Sequence, residues 1–112
     1  MKRGEIWRVR LPSVSGHTQA GERPGIIVQD SSFSAFLPTV LIVPFTSTQR
    51  AARFRGTLLV PPDQHNGLTV ASVALVLQLS ALDRRNCLVR RGELNTATLD
   101  QVFNLLDELT GR

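Results

Sequence analysis

The sequence predicts a mainly β chain with a C-terminal α-helix, folded as a small, strongly bent sheet or barrel whose opening the helix covers. Short, β-branched apolar runs fill the first three-quarters of the chain, and only the tail carries a helical period. Strands first and helix last excludes a doubly wound α/β sheet, and no strand–helix–strand unit is present. With 112 residues and 42% hydrophobic side chains, there is material for one domain with a buried core, and residues 1–112 are read as that domain.

The elements follow in order. Glu5–Leu11 alternates, with Ile6, Arg8 and Arg10 on one face and Trp7, Val9 and Leu11 on the other, until Pro12 ends the run. Gly25–Gln29 and Val40–Phe45 are short apolar runs expected of strands buried on both faces. Between them Ser31–Phe36 fits a single helical turn with Phe33 and Phe36 on one face. Phe54–Val60 is a further strand closed by Pro61 and Pro62, Asp63–Gly67 is a turn, and Thr69–Gln78 is the longest strand candidate. In the tail Leu99, Val102, Phe103, Leu106 and Leu109 form one apolar stripe. Asn95 or Thr96 caps that helix, Asp100 suits its first turn and Gly111 sits at the C-terminal cap. Trp7, Phe33, Phe36 and Phe54 are the candidate interface aromatics, and each is read first as core. Arg84–Arg85 and Arg90–Arg91 flank a turn, where ion pairing with Asp83 and Glu93 explains them as well as RNA contact does.

Charge is unevenly spread. Of 13 basic and 9 acidic residues, residues 1–60 hold eight basic against three acidic, and residues 61–112 five against six. An arginine-rich first half suits a polyanion, because a guanidinium binds phosphate through two parallel hydrogen bonds; a solvated arginine-rich surface accounts for the composition equally well. The single cysteine excludes a disulfide framework, and with two histidines it excludes a CxxC-type zinc site. Gly4 and Glu5 fall where a signal peptide needs its apolar run, and Val40–Phe45 and Val73–Leu77 are too short to span a bilayer. A soluble, cytoplasmic protein is expected.

Several chemistries have no residues to carry them. Neither a GxGxxG nor a GxxxxGK[ST] loop is present to cradle a nucleotide, so no cofactor is expected. No HExxH and no carboxylate cluster offers a metal site. Cys87 reads as buried filler, and His65, in a Gln-His-Asn-Gly turn, as exposed. Catalysis is left to Arg, Ser/Thr, His and backbone groups.

Three polar segments remain once the core is assigned: Ser15–Pro24, Thr46–Arg50 followed by Arg53 and Arg55, and Gln78. Strand alternation can bring Arg23 and Thr46, each beside an apolar strand, to the same end of a small barrel. Here the chain resembles a known family. KRGEIWRVRLP, GHTQAGERPGIIVQ and VLIVPFTS are similar to the MazF/PemK/Kid group of toxin–antitoxin endoribonucleases, over essentially the whole chain. The resemblance implies an SH3-like barrel of the CcdB/PemK type, a homodimer, an antitoxin partner, and metal-independent, sequence-specific cleavage of single-stranded RNA. It carries the family's arginine onto Arg23 and the first hydroxyl of its VP-x-T-S motif onto Thr46.

The chemistry suits those two residues. Attack by a 2′-OH on the adjacent phosphorus builds charge on the non-bridging oxygens, which an arginine fork stabilises. A threonine hydroxyl holds the phosphate or orients the 2′-OH. The chain departs from the family elsewhere: Thr18 stands where many members carry Glu, and Leu75, Leu77 and Ser80 replace the late strand's Arg, Asp and basic residue. His17 is kept, and an imidazole suits proton transfer near neutral pH; a loop histidine with no catalytic part remains the other reading. The candidate catalytic set is Arg23, Thr46 and His17. Candidate RNA contacts are Gln19, Ser47, Thr48, Gln49, Arg50, Arg53 and Gln78. Two alternatives stay open: a catalytically degraded barrel that binds RNA or antitoxin, and a CcdB-like gyrase poison.

Overall fold

The computed structural model describes residues 1–12 and 21–112. Among these described residues seven strands are formed: β1 (Glu5–Leu11), β2 (Gly21–Ile27), β3 (Thr39–Thr46), β4 (Thr57–Val60), β5 (Ser72–Leu75), β6 (Ser80–Asp83) and β7 (Cys87–Glu93). Two α-helices accompany them, α1 (Ser31–Ser34) and α2 (Thr96–Thr110). The sheet runs β4-β5-β3-β2-β1-β7, with β6 joined to β3, and its pairings are antiparallel. β3 is the hub. Its first half pairs with β6, Ile42 to Pro44 with β2, and Phe45 and Thr46 with β5. The sheet bends around this strand into a barrel-like shape without closing, and α2 covers one side, so the mainly β fold with a C-terminal helix is as expected.

Alternation along the strands divides the interior in two. Ile6, Ile26, Val43 and Phe45 face one core, which the buried Val102 of α2 seals with Leu99, Phe103 and Leu106 packed beside it. Val9, Leu11, Ile27, Val40, Ile42 and Leu82 face the other, together with Cys87. Burial pushes the Cys87 thiol above its ordinary pKa, consistent with a packing role. Asn95 caps α2 by accepting a hydrogen bond from the Thr98 N–H at 2.7 Å, and Gly111 ends it in the left-handed region. Asp100 lies beyond the first turn, so it does not serve the helix N-terminus as expected. No helix among the described residues is long and apolar enough to cross a membrane.

Other departures have local causes. Thr69–Gln78 is not one strand: β5 covers Ser72–Leu75, and Val76–Gln78 turns into a 3₁₀ helix that starts from Leu75, whose ψ of 74° has left the extended range. Phe54 precedes β4 because a 3₁₀ helix at Gln49–Arg53 and Gly56, at φ +81°, reshape that segment. β6 and β7 were not anticipated, since polar residues interrupt their alternation and their partners, β3 and β1, lie far away in sequence. Phe33, Phe36 and Phe54 are exposed, at 57%, 85% and 55%, because the single turn of α1 and the 3₁₀ loop carry no covering layer. Of the four late arginines, Arg85 pairs with Asp83 and Arg90 with Glu93 and Glu5, whereas Arg84 donates to the Ser34 carbonyl at 2.7 Å.

Glu5 ties β1 to β7. Its carboxylate accepts from the Lys2 N–H at 2.9 Å, Trp7 Nε1 at 3.0 Å and Arg90 Nε at 3.0 Å. Burial raises its pKa, but the Lys2, Trp7 and Arg90 hydrogen bonds and the Arg90 charge outweigh that and hold it below the ordinary value. A depressed folded-state pKa gives stabilisation that is present above the unfolded-state pKa and lost as pH falls through the folded one. Thermal midpoints measured from pH 7 down through the acid range should therefore fall less steeply for Glu5→Gln than for the wild type. Parallel profiles would deny Glu5 that role.

Candidate functional site

The polar end of the sheet is built where β2 and β3 run out of ladder. The β2–β3 ladder ends at Gly25 and Pro44, and beyond it Arg23, two residues back on β2, and Thr46, two residues on along β3, line one cleft. Arg23 is fixed on its other side by pairing with Val9 of β1. On β3 the side chains alternate, so Phe45 enters the core while Thr46 takes the opposite face, across from Val73 of β5. Thr46 is only 4% exposed, and its Oγ1 accepts a hydrogen bond from the Thr48 N–H at 3.2 Å. That bond aligns the hydroxyl and bends the chain out of β3.

Two clefts meet at Thr46. The first, about 420 Å³, takes Arg8, Glu22, Arg23 and Pro24 from β1 and β2, Phe45 and Thr46 from β3, Ser47 just after it, and Arg91 with Gly67–Val70 and Ser72 opposite them. Among the described residues its lining holds three arginines and one carboxylate. Glu22 is engaged by Arg8 at 2.8 Å and Arg10 at 3.5 Å, which partly cancels Arg8 and leaves the cleft electropositive. The second, about 450 Å³, is lined by Thr46, Thr48, Ala51, Phe54, Leu75, Leu77 and Gln78 and is mostly apolar. Among the described residues no three His, Cys, Asp or Glu side chains group as a metal site.

The structure brings Arg23, Thr46 and Ser47 to one cleft and Thr46, Thr48 and Gln78 to the other. Gln49, Arg50 and Arg53 lie on the exposed 3₁₀ helix after β3, and Arg50 and Arg53 line a smaller hollow with Thr48 and Phe54. Arg55 points away, with Glu108 of α2 at 3.9 Å. His17, Thr18 and Gln19 lie outside the described residues.

For Arg91 the sequence leaves ion pairing and RNA contact equally open; Asp83 and Glu93 pair with Arg85 and Arg90, and Arg91 lines the first cleft. The Asp63–Gly67 turn is what sets it at the cleft. The Asp63 carboxylate accepts from the N–H groups of His65 and Asn66, and the His65 carbonyl accepts from the Glu93 N–H at 2.9 Å. Gly67, at φ +70°, and Gly92 let the two backbones touch: a Cβ on Gly92 would stand 2.3 Å from the His65 carbonyl oxygen. The sequence signals were the Asn-Gly turn and the Arg-Gly pair, but nothing local says that they meet.

A family described as the PemK-like, MazF-like toxin of type II toxin–antitoxin systems matches residues 2–110. The chain belongs to that family. Among curated relatives of this PemK/MazF chain, the endoribonuclease MazF of Staphylococcus saprophyticus is 26% identical over 107 residues, covering 96% of the chain and 88% of the relative. The Escherichia coli endoribonuclease PemK is 43% identical over 56 residues, half of this chain and 42% of that protein. Among solved structures, MazF from Deinococcus radiodurans superimposes with a TM-score of 0.83 at 23% identity, covering 100% of this chain and 97% of the other. A mycobacterial endoribonuclease in complex with its cognate antitoxin gives 0.78 at 21% identity, over 99% and 95% of the two chains. These structural likenesses concern the fold. The curated relatives bear the activity in their names, and endoribonuclease is the activity of the family.

Proposed function

We propose that this PemK/MazF-family chain is a metal-independent, sequence-specific endoribonuclease that cuts single-stranded RNA, including mRNA. Attack of a 2′-OH on the neighbouring phosphorus would release the 5′-oxygen and leave a 2′,3′-cyclic phosphate and a 5′-OH. The observation that carries this reading is the meeting of Arg23 and Thr46 at one electropositive cleft. Arg23 neutralises the charge that grows on the phosphoryl oxygens, and Thr46, oriented by the Thr48 N–H, holds the phosphate or the 2′-OH. His17 is the proposed proton carrier, its neutral imidazole accepting the 2′-OH proton while solvent water protonates the departing 5′-oxygen, the imidazolium then returning its proton to solvent. Gln19, Ser47, Thr48, Gln49, Arg50, Arg53 and Gln78 are the proposed RNA contacts. Phosphate contacts among them supply grip and base-edge contacts supply choice of sequence. The antitoxin complexes solved for fold relatives support a cognate antitoxin as partner, and we extend the proposal to a single-domain, cytoplasmic homodimer.

The test is incubation of purified protein with a long single-stranded RNA in excess EDTA. Discrete fragments support the reading, and intact RNA at high enzyme concentration overturns it. A second reading, a barrel that binds RNA without cutting it, is favoured by one observation: Leu75 and Leu77 put an apolar wall where the resemblance places charged residues. The same assay with a filter-binding arm separates the two.

Arg91 is expected to add a phosphate contact to the first cleft. Arg91→Ala should weaken RNA binding and lower the slope of log affinity against log salt by about 0.7. An unchanged slope would place Arg91 outside the RNA path.

A further inference from the structure

β1 carries a basic row that the sheet itself does not need. Its side chains alternate, so Ile6, Arg8 and Arg10 share one face: Ile6 is buried in the core that α2 seals, while Arg8 and Arg10 emerge into solvent. Arg91 joins them from β7. Ile6 pairs with Gly92 and Trp7 with Arg90, which leaves Arg91 between them as the extra residue of a β-bulge, a device that re-aims a side chain. Arg90 is taken up by Glu5 and Glu93, whereas Arg91 has no ion-pair partner among the described residues and lines the first cleft with Arg8. Arg10 stands about 6.8 Å farther along β1 than Arg8, just outside that lining.

Glu22 lies across from Arg10 in the β1–β2 register. One of its carboxylate oxygens meets Arg8 Nε at 2.8 Å, and the other meets Arg10 Nη2 at 3.5 Å. Two guanidinium groups on the two oxygens of one anion is the arrangement that the non-bridging oxygens of a phosphodiester would take. The cluster is a weak clamp for the fold: all three side chains are at least about one-third exposed, and such ion pairs hold loosely and are screened by salt. Glu22 thus keeps both arginines turned to one point without binding them tightly.

Resting on the RNA-binding part of the proposed function, we propose that Arg8 and Arg10 form a phosphodiester subsite on the outer face of β1, which the Glu22 carboxylate occupies in the free protein and gives up when RNA binds. Arg91 and Arg8 take the strand as it leaves the cleft, and Arg10 takes the next phosphate. A phosphate tethered to neighbours already bound arrives at high effective concentration, so it displaces a carboxylate that exposed ion pairs hold only loosely. Glu22 therefore sets how tightly RNA is held, and it does so only through the two arginines.

The experiment measures affinity across a salt series for a mixed-sequence RNA made uncleavable by 2′-fluoro substitution. Arg8→Gln/Arg10→Gln should lower the slope of log affinity against log salt by about 1.4, so that over a tenfold rise in salt the wild type loses about 25-fold more affinity than the variant. Arg8→Lys/Arg10→Lys, which keeps both charges, should keep the slope, and thermal midpoints should show all variants folded. Glu22→Gln should bind about 1.5- to 5-fold more tightly, a gain that should vanish once both arginines are Gln. An unchanged slope in Arg8→Gln/Arg10→Gln, or a Glu22→Gln gain that persists without the arginines, overturns the proposal. So does a loss of binding to poly-glutamate without loss of RNA, which would assign this face to an acidic protein partner. Cleavage of unmodified RNA is followed in parallel. A wild type that binds with this slope dependence but never cuts contradicts the proposed catalysis and leaves the subsite standing; one that cuts while the slope is unchanged does the reverse. A wild type that binds no RNA overturns both.

Discussion

Arg23→Ala is expected to lower single-turnover cleavage of single-stranded RNA by about 10²–10³, the usual cost of removing one preorganised charge stabiliser. The loss should fall on the chemical step more than on affinity. In the proposed reading Arg8, Arg50, Arg53 and Arg91 remain to grip the RNA backbone, whereas Arg23 lines the cleft with Thr46 at the ends of β2 and β3. Arg23→Lys should recover little, because an ammonium cannot supply the paired hydrogen bonds of a guanidinium. Rates at saturating enzyme, compared with the binding constants of the same variants, separate the two steps. A variant that keeps its rate and loses only affinity would make Arg23 a grip residue.

Phe45→Ala is expected to destabilise the fold by about 3–5 kcal/mol. Phe45 is fully buried in the core that α2 seals, and it is the residue immediately before Thr46. Against a typical total of about 5–15 kcal/mol, the loss should lower the thermal midpoint by at least about 12 °C. The cavity opens beneath the end of β3, so the surviving folded fraction should also cleave more slowly as Thr46 loses its support. Calorimetry checks the first expectation and assays well below the midpoint check the second. A shift of a few degrees would mean that the core collapses around the gap.

How far the sequence reveals this depends on which interactions are local. β1, β3 and α2 were legible because their patterns repeat within a few residues: Ile6 to Leu11 alternates, and Leu99 to Leu109 repeats at helical spacing. So was the meeting of Arg23 and Thr46, since both flank apolar strands at one end. β6, β7 and the place of Arg91 were not, because they rest on pairing with β3, β1 and the Asp63–Gly67 turn, contacts that no window of sequence contains. Phe54 was misread for a related reason. Its hydrophobicity says core, but the Thr57 and Ala51 hydrogen bonds hold it on an exposed loop. Tertiary context overrode composition there.

The measurement that bears most directly on the central claim is the chemistry of the ends. Fragments produced in EDTA would be mapped for their termini, alongside a substrate carrying a single 2′-deoxy nucleotide 5′ of a cleaved bond. Transesterification at the Arg23–Thr46 cleft predicts 2′,3′-cyclic phosphate and 5′-OH ends, and no cut at the deoxy position. Ends bearing 3′-OH and 5′-phosphate, or cleavage that persists past the 2′-deoxy nucleotide, would contradict it.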